Sequence, residues 1–126
     1  MSSHQLYIEG KDFSQVPVEE ISRQLKEVAP LETFGFQKMD PDSGESGEHW
    51  VTISSPELTC ICPFSDYPDF GTVTIKYVPD QKCLELKSFK LYINAFRELK
   101  IFHESLTELI LHDFIEVVQP KKAHIT

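Results

Sequence analysis

The sequence predicts an α+β domain, and three observations carry that prediction. Apolar residues recur at helical spacing in three stretches, they alternate with polar ones in the middle of the chain, and the order is helix, strands, two helices. At 126 residues the chain is read as one domain, 1–126, with an N-terminal helical extension over about 1–47.

In the first helix Val18, Ile21, Leu25 and Val28 form one stripe, Pro17 suits the first turn and Pro30 closes the pattern. The acidic stretch DPDSGESGE, Asp40 to Glu48, reads as a solvated loop. After it, HWVTI leads through Pro56 into ELTCIC, and TVTIKYV sets Val73, Ile75 and Tyr77 against Thr72, Thr74 and Lys76. These segments are expected to be neighbouring strands. Pro79 and Asp80 make a turn, and CLELKS is expected to return as a further strand with Leu84 and Leu86 on one face. Ser88 is expected to cap a helix carrying Phe89, Tyr92, Ile93, Phe96 and Leu99. A last helix begins near His103, with Leu106, Leu109, Ile110, Phe114 and Val117 as its stripe and Pro120 as its stop. The final KKAHIT can begin another strand.

Composition excludes several function classes. Hydrophobic residues at 40% and charged residues at 25% fit a soluble globular protein. No run approaches the ~18 apolar residues of a membrane span. The N-terminus lacks the order of a signal peptide, so a cytoplasmic address is expected. A formal charge of -8 opposes a nucleic-acid partner. An anionic small ligand would need locally gathered lysines, best found at Lys87 and Lys90, with Lys121 and Lys122 a second pair. Three cysteines in a reducing compartment are expected to be free thiols.

The chemistry concentrates in PELTCICPFSDYPDFG, Pro56 to Gly71. Cys60 and Cys62 are two apart, so on a strand both face the same way. A buried small residue is the commoner use of such a cysteine, and Cys60 lies inside the apolar run. Zinc is a weaker reading, because Cys83 is far along the chain and no spaced pair completes a set of four. Cys62, followed by Pro63, ends its strand, where a thiol can meet a ligand. Asp69 follows seven residues later after a turn; Asp66, in FSDYP, is the competing acid, and spacing does not choose between them.

Cys62-Pro63, Pro68-Asp69-Phe70, Glu85-Leu86-Lys87-Ser88-Phe89-Lys90-Leu91-Tyr92 and Phe102-His103-Glu104 stand in that order along the chain. Together they resemble the short form of the QueF nitrile reductases, over about residues 56–120. That family reduces 7-cyano-7-deazaguanine to 7-aminomethyl-7-deazaguanine with NADPH, on the way to the tRNA base queuosine. The resemblance implies Cys62 as a nucleophile that forms a thioimide, Asp69 as proton carrier and His103 beside the substrate. It implies Glu104 and Glu85 at the base, where a carboxylate can accept a ring N–H and an amino group together. On sequence alone, Glu104 would simply answer the helix dipole and Glu85 would be a solvated strand end.

The resemblance also implies that Lys87, Ser88 and Lys90 hold the phosphates of NADPH, with help from amides at a helix start. No Rossmann GxGxxG occurs. No metal is implied. The implied architecture is the tunnelling fold, in which an antiparallel sheet carries two helices on one face and subunits join into a barrel. The expected assembly is a homo-oligomer, a decamer of two pentamers. Beyond Pro120 the sequence holds KKAHIT, where the family pattern continues with a strand pair carrying Arg-Gly, and the first 47 residues read as unlike the family. Rival readings are a QueF-like amidinotransferase acting on the same nitrile, a zinc-dependent pterin-type enzyme of the same fold, and a non-catalytic purine-binding module.

Overall fold

Alternation of Val73, Ile75 and Tyr77 with polar neighbours builds the central strand, β3 (Pro68–Val78), in a computed structural model that describes residues 18–37 and 48–126. It pairs antiparallel with β2 (Val51–Ile61) on one side and with β5 (Lys122–Ile125) on the other. The possible strand in KKAHIT is therefore real. One feature of β2 decides what the sheet can display. Pro56 does not divide it into two strands; Pro56 and Glu57 together oppose Thr72, in a bulge between Ser55 and Leu58. The extra residue changes the parity of β2. Val51, Ile53 and Ser55 before the bulge share a face with Leu58 and Cys60 after it, and the chain continues on that alternation toward Cys62.

Helix α1 (Val18–Val28) buries Ile21 and Leu25, as the spacing predicts. Pro17 and the loop residues 40–47 lie outside the described residues. After α1, β1 (Thr33–Gly35) pairs antiparallel with β4 (Lys82–Leu84) in a separate two-stranded sheet. This corrects the expected strand through CLELKS. That strand stops at Leu84, its partner is β1, and Leu86 opens a helix with its side chain 59% exposed. β4 is still tied to the main sheet, because the Leu84 amide donates to the Tyr77 hydroxyl at 3.1 Å.

Helix α2 (Leu86–Asn94) and helix α3 (His103–Val118) lie over the face of β3 that holds Val73, Ile75 and Tyr77. Tyr77 meets Phe114 edge-on at 4.8 Å between ring centroids, and Tyr92 meets Phe96 at 5.1 Å. Phe114 is fully buried, so truncating it to alanine is expected to cost roughly 3–5 kcal/mol. Val118, not Val117, completes the buried stripe of α3, and Gln119 ends the helix in the left-handed conformation just before Pro120. Asp113 is the polar exception on that stripe. Ser22 of α1 and Tyr92 of α2 both donate to its carboxylate, the latter at 2.6 Å, so one buried acid joins three helices. Among the described residues, no helix is long and apolar enough to cross a membrane.

Candidate active site

The far end of β2 is stitched to the start of α3. The Ile61 amide donates to the Leu99 carbonyl at 2.9 Å and the Ile101 amide donates to the Ile61 carbonyl at 3.1 Å, a short parallel pairing centred on Ile61 and Lys100. Leu99 and Ile101 are buried, which fixes this join in the core. Phe102 and His103 therefore emerge at the end of β2, Phe102 against the Phe64 ring at 5.5 Å between centroids and His103 near Cys60 and Asp69.

Cys62 opens a tight turn. Its carbonyl accepts from the Asp66 amide at 3.0 Å and its own amide donates to the Tyr67 carbonyl at 3.0 Å. Asp66 occupies the left-handed region at φ 60, which an aspartate tolerates in turns. Its carboxylate meets the Lys100 ammonium at 2.7 Å, tying the turn to the stitched segment. Asp66 is thus turn chemistry. The Cys62 thiol is held below the ordinary thiol range, chiefly by a hydrogen bond with the Ser65 side chain and then by the Ser65 and Phe64 amides, while burial and the Asp69 charge act the other way. The Tyr67 amide donates to Ser65 Oγ at 3.3 Å and orients that hydroxyl.

Cys60 behaves oppositely. It is wholly buried, its Sγ donates to the Ile101 carbonyl at 3.6 Å, and burial first, then the Asp69 and Cys62 charges, push its thiol up to about 12. Cys60 is core, as its place in the apolar run predicts.

Asp69 stands opposite Cys60 across the ladder. His103 approaches the same spot from α3, and one ligand-type atom from each of Cys60, Asp69 and His103 lies within 4.8 Å of the others. The space for the imidazole comes from Gly71, where a β-carbon would stand 3.4 Å from His103 Cε1. His103 Nε2 is buried without a hydrogen-bond partner among the described residues. Glu104 follows in the exposed first turn of α3, whose start has no side-chain cap. Phe64, Tyr67 and Phe70 stand 89%, 74% and 73% exposed around the turn.

The second group of predicted residues lies elsewhere in the chain. Glu85, not Ser88, caps α2; its carboxylate accepts from the Lys87 amide at 2.6 Å and the Ser88 amide at 2.9 Å. A longer side chain reaches back over the first turn, and the serine serves another purpose. Ser88 is buried, its hydroxyl donating to the Glu85 carbonyl at 2.8 Å and accepting from the Glu32 amide at 2.9 Å. The expected amide cradle for phosphate is therefore filled by Glu85. Lys87 and Lys90 remain exposed, without an ion pair among the described residues. Glu85, Lys87 and Ser88 border a groove of about 240 Å³ with Val28, Pro30 and Leu91. This groove lies at the first turn of α2, about 14 Å of helix from its last, and the end of β2 before Cys62 is joined to residues 99 and 101 beyond that last turn.

Sequence reasoning did not find Ser65 or Gly71. A glycine inside a strand was the available signal for the second; Ser65 carries no signal beyond its place in a turn.

The fold and this end of it define a small α+β protein with a candidate site around the Cys62 turn. A family model described as QueF-like protein matches residues 68–126. The chain is 43% identical over 106 residues to the NADPH-dependent 7-cyano-7-deazaguanine reductase of Prochlorococcus marinus, covering 79% of this chain and 76% of that one. It is 39% identical over 109 residues to the protein of that name from Nostoc sp., covering 86% and 77%. It is 55% identical over 75 residues to the one from Synechocystis sp., covering 60% and 55%. Among solved structures it resembles the archaeosine synthase QueF-Like in its apo form, with a TM-score of 0.58 and 26% identity over 61% of this chain and 76% of that one. The chain belongs to the QueF family. The similarity is broader than residues 56–120, since an alignment over 86% of the chain takes in part of the N-terminal 47 residues as well.

Proposed function

We propose that the protein is an NADPH-dependent nitrile reductase that converts 7-cyano-7-deazaguanine to 7-aminomethyl-7-deazaguanine in the cytoplasm, within queuosine synthesis. The observation that carries the reading is a thiol, Cys62, held below the ordinary thiol range at a strand end and near enough to Asp69 to feel its charge, in a chain 43% identical to a reductase of that name.

A nitrile carbon is a weak electrophile, and adding a thiolate converts it into a better hydride acceptor. Cys62 forms the C–S bond while Asp69 delivers a proton to the nitrile nitrogen, giving a thioimide. NADPH, when bound, supplies one hydride to the carbon in each of two steps. After the first, Cys62 leaves as thiolate and the C–S bond breaks, leaving an imine; Asp69, with His103 beside it, returns protons to nitrogen as the amine forms. Glu104 anchors the base by accepting its ring N–H and exocyclic amino group. Two exposed lysines fit phosphates as point charges, so Lys87 and Lys90 hold the cofactor; Ser88 supports them by fixing the helix start, and Glu85, with both carboxylate oxygens in its cap, reaches the base only through their second lone pairs.

Because α2 separates the lysines from Cys62 within a chain, a neighbouring subunit completes the site. β2 and β5 are the outer strands of the three-stranded sheet, and joining such edges is the assembly expected of a tunnelling-fold barrel, here a decamer of two pentamers. A second reading is favoured by the likeness to the archaeosine synthase QueF-Like: ammonia, not hydride, attacks the thioimide, releasing the thiol and an amidine.

The test is NADPH oxidation by purified protein with the nitrile. Two NADPH consumed per nitrile, none without nitrile and none in Cys62→Ala support the reductase. A nitrile adduct on Cys62 that ammonia discharges as a free amidine, with no NADPH consumed, would replace it with the amidinotransferase. Reversible nitrile binding without an adduct would leave only a binding module.

A further inference from the structure

Cys60, Asp69 and His103 come from β2, β3 and α3, so no sequence spacing reveals them as a set. Together they offer one sulfur, one carboxylate oxygen and one imidazole nitrogen, all within 4.8 Å of one another. That is the donor chemistry of a borderline-soft divalent ion. A second observation points the same way: His103 Nε2 is buried and unpartnered among the described residues, the condition of a nitrogen whose lone pair lacks a donor or an ion.

We propose that Cys60, Asp69 and His103 form a zinc-class metal site with an open fourth position beside Cys62. Zinc bond lengths of about 2.0–2.3 Å place ligand atoms roughly 3.5 Å apart in a tetrahedral site, so the three groups close by about an ångström. His103 and Asp69 can swing on their side chains, whereas Cys60 is held by the strand. On coordination the Cys60 S–H bond breaks, its proton passes to solvent and the sulfur binds as thiolate; His103 binds neutral and Asp69 as carboxylate. Affinity therefore rises with pH, and each metal bound releases one thiol proton. Metal and nitrile compete, because the ion occupies Asp69 and His103. This last consequence rests on the proposed reductase reading; the site itself does not.

The test is titration of chelator-washed full-length protein with Co²⁺ as a spectroscopic stand-in for zinc. The expected result is a thiolate-to-cobalt charge-transfer band saturating at one ion per chain. The band should persist in Cys62→Ala and vanish in Cys60→Ala. Asp69→Asn and His103→Gln, at partly exposed positions that do not test the core, should each weaken binding by more than the roughly 10–100-fold that loss of an outer-shell partner costs. A band lost in Cys62→Ala and kept in Cys60→Ala, or no band at stoichiometric cobalt, overturns the site. Zinc binding that leaves NADPH oxidation untouched supports the site and counts against the catalytic roles given to Asp69 and His103.

Discussion

The backbone of Gly71 lies beneath the imidazole of His103, with room for a β-carbon at 3.4 Å from Cε1 and for little more. Gly71→Ala is therefore expected to keep most activity. Gly71→Val adds two methyl groups at that distance and tilts the ring away. Displacing a reacting group by about an ångström costs on the order of 10²-fold in rate. Steady-state NADPH oxidation and a urea midpoint, measured on both variants, should show a large fall in turnover for valine with little change in stability.

Alkylation kinetics should separate the two thiols. Cys62 is held below the ordinary thiol range by Ser65, so its modification should reach half its maximal rate at a pH below that of a free thiol. Ser65→Ala should move that midpoint upward, and Ser65→Thr should restore it. Cys60, buried and pushed up to about 12, should stay unmodified until the protein unfolds. Peptide mapping by mass spectrometry reads both, and equal labelling of the two cysteines in the native protein would contradict the assignment.

Asp113 gives the pH dependence of stability. Burial raises its folded pKa above the model-compound value of 3.8, outweighing the Ser22 and Tyr92 hydrogen bonds that lower it. The folded state then binds the proton more tightly than the unfolded state, so this group's contribution is full at low pH and is lost as pH climbs through the folded pKa. Relative to Asp113→Asn, the native protein should lose stability upward from about pH 4, in chemical denaturation followed across that range.

Gln119 closes α3 at φ 53 and ψ 56. A side chain in that region costs roughly 1–2 kcal/mol, which glycine avoids at some expense in chain entropy. Gln119→Gly should raise stability by up to about 1 kcal/mol in urea denaturation, without altering nitrile-dependent NADPH oxidation.

The elements set by local pattern were legible before the structure. Ile21 and Leu25 fix α1, the Leu106 to Phe114 stripe fixes α3 from His103, and Cys62-Pro63 marks the end of β2. What escaped depends on contacts between distant segments. Nothing local to Leu84 says that its strand pairs with Thr33, and nothing in Ser88 says that Glu85 will reach its amide first. Pro56 reads as a break and becomes a bulge because the following residues regain their pairing with Phe70 and Asp69. In the candidate site, Cys62 and Asp69 stood out by position and by family likeness. The meeting of Asp69 with His103 did not, since it is set by the parallel stitch at Ile61 and Lys100.

That stitch gives the site a mechanical weak point of its own. Its backbone part is two amide hydrogen bonds, Ile61 to Leu99 and Ile101 to Ile61, and the Asp66–Lys100 ion pair and the Cys60–Ile101 contact flank them. Opening these contacts together parts the Cys62 turn from the helix that carries the His103 imidazole while the pairing of β2 with β3 stays closed. Subglobal openings of this kind are expected to lie below the free energy of global unfolding. The Ile61 and Ile101 amide protons thus form a built-in gauge. Their exchange with deuterium reports how often this end of the sheet comes apart from α3, independently of the rest of the fold.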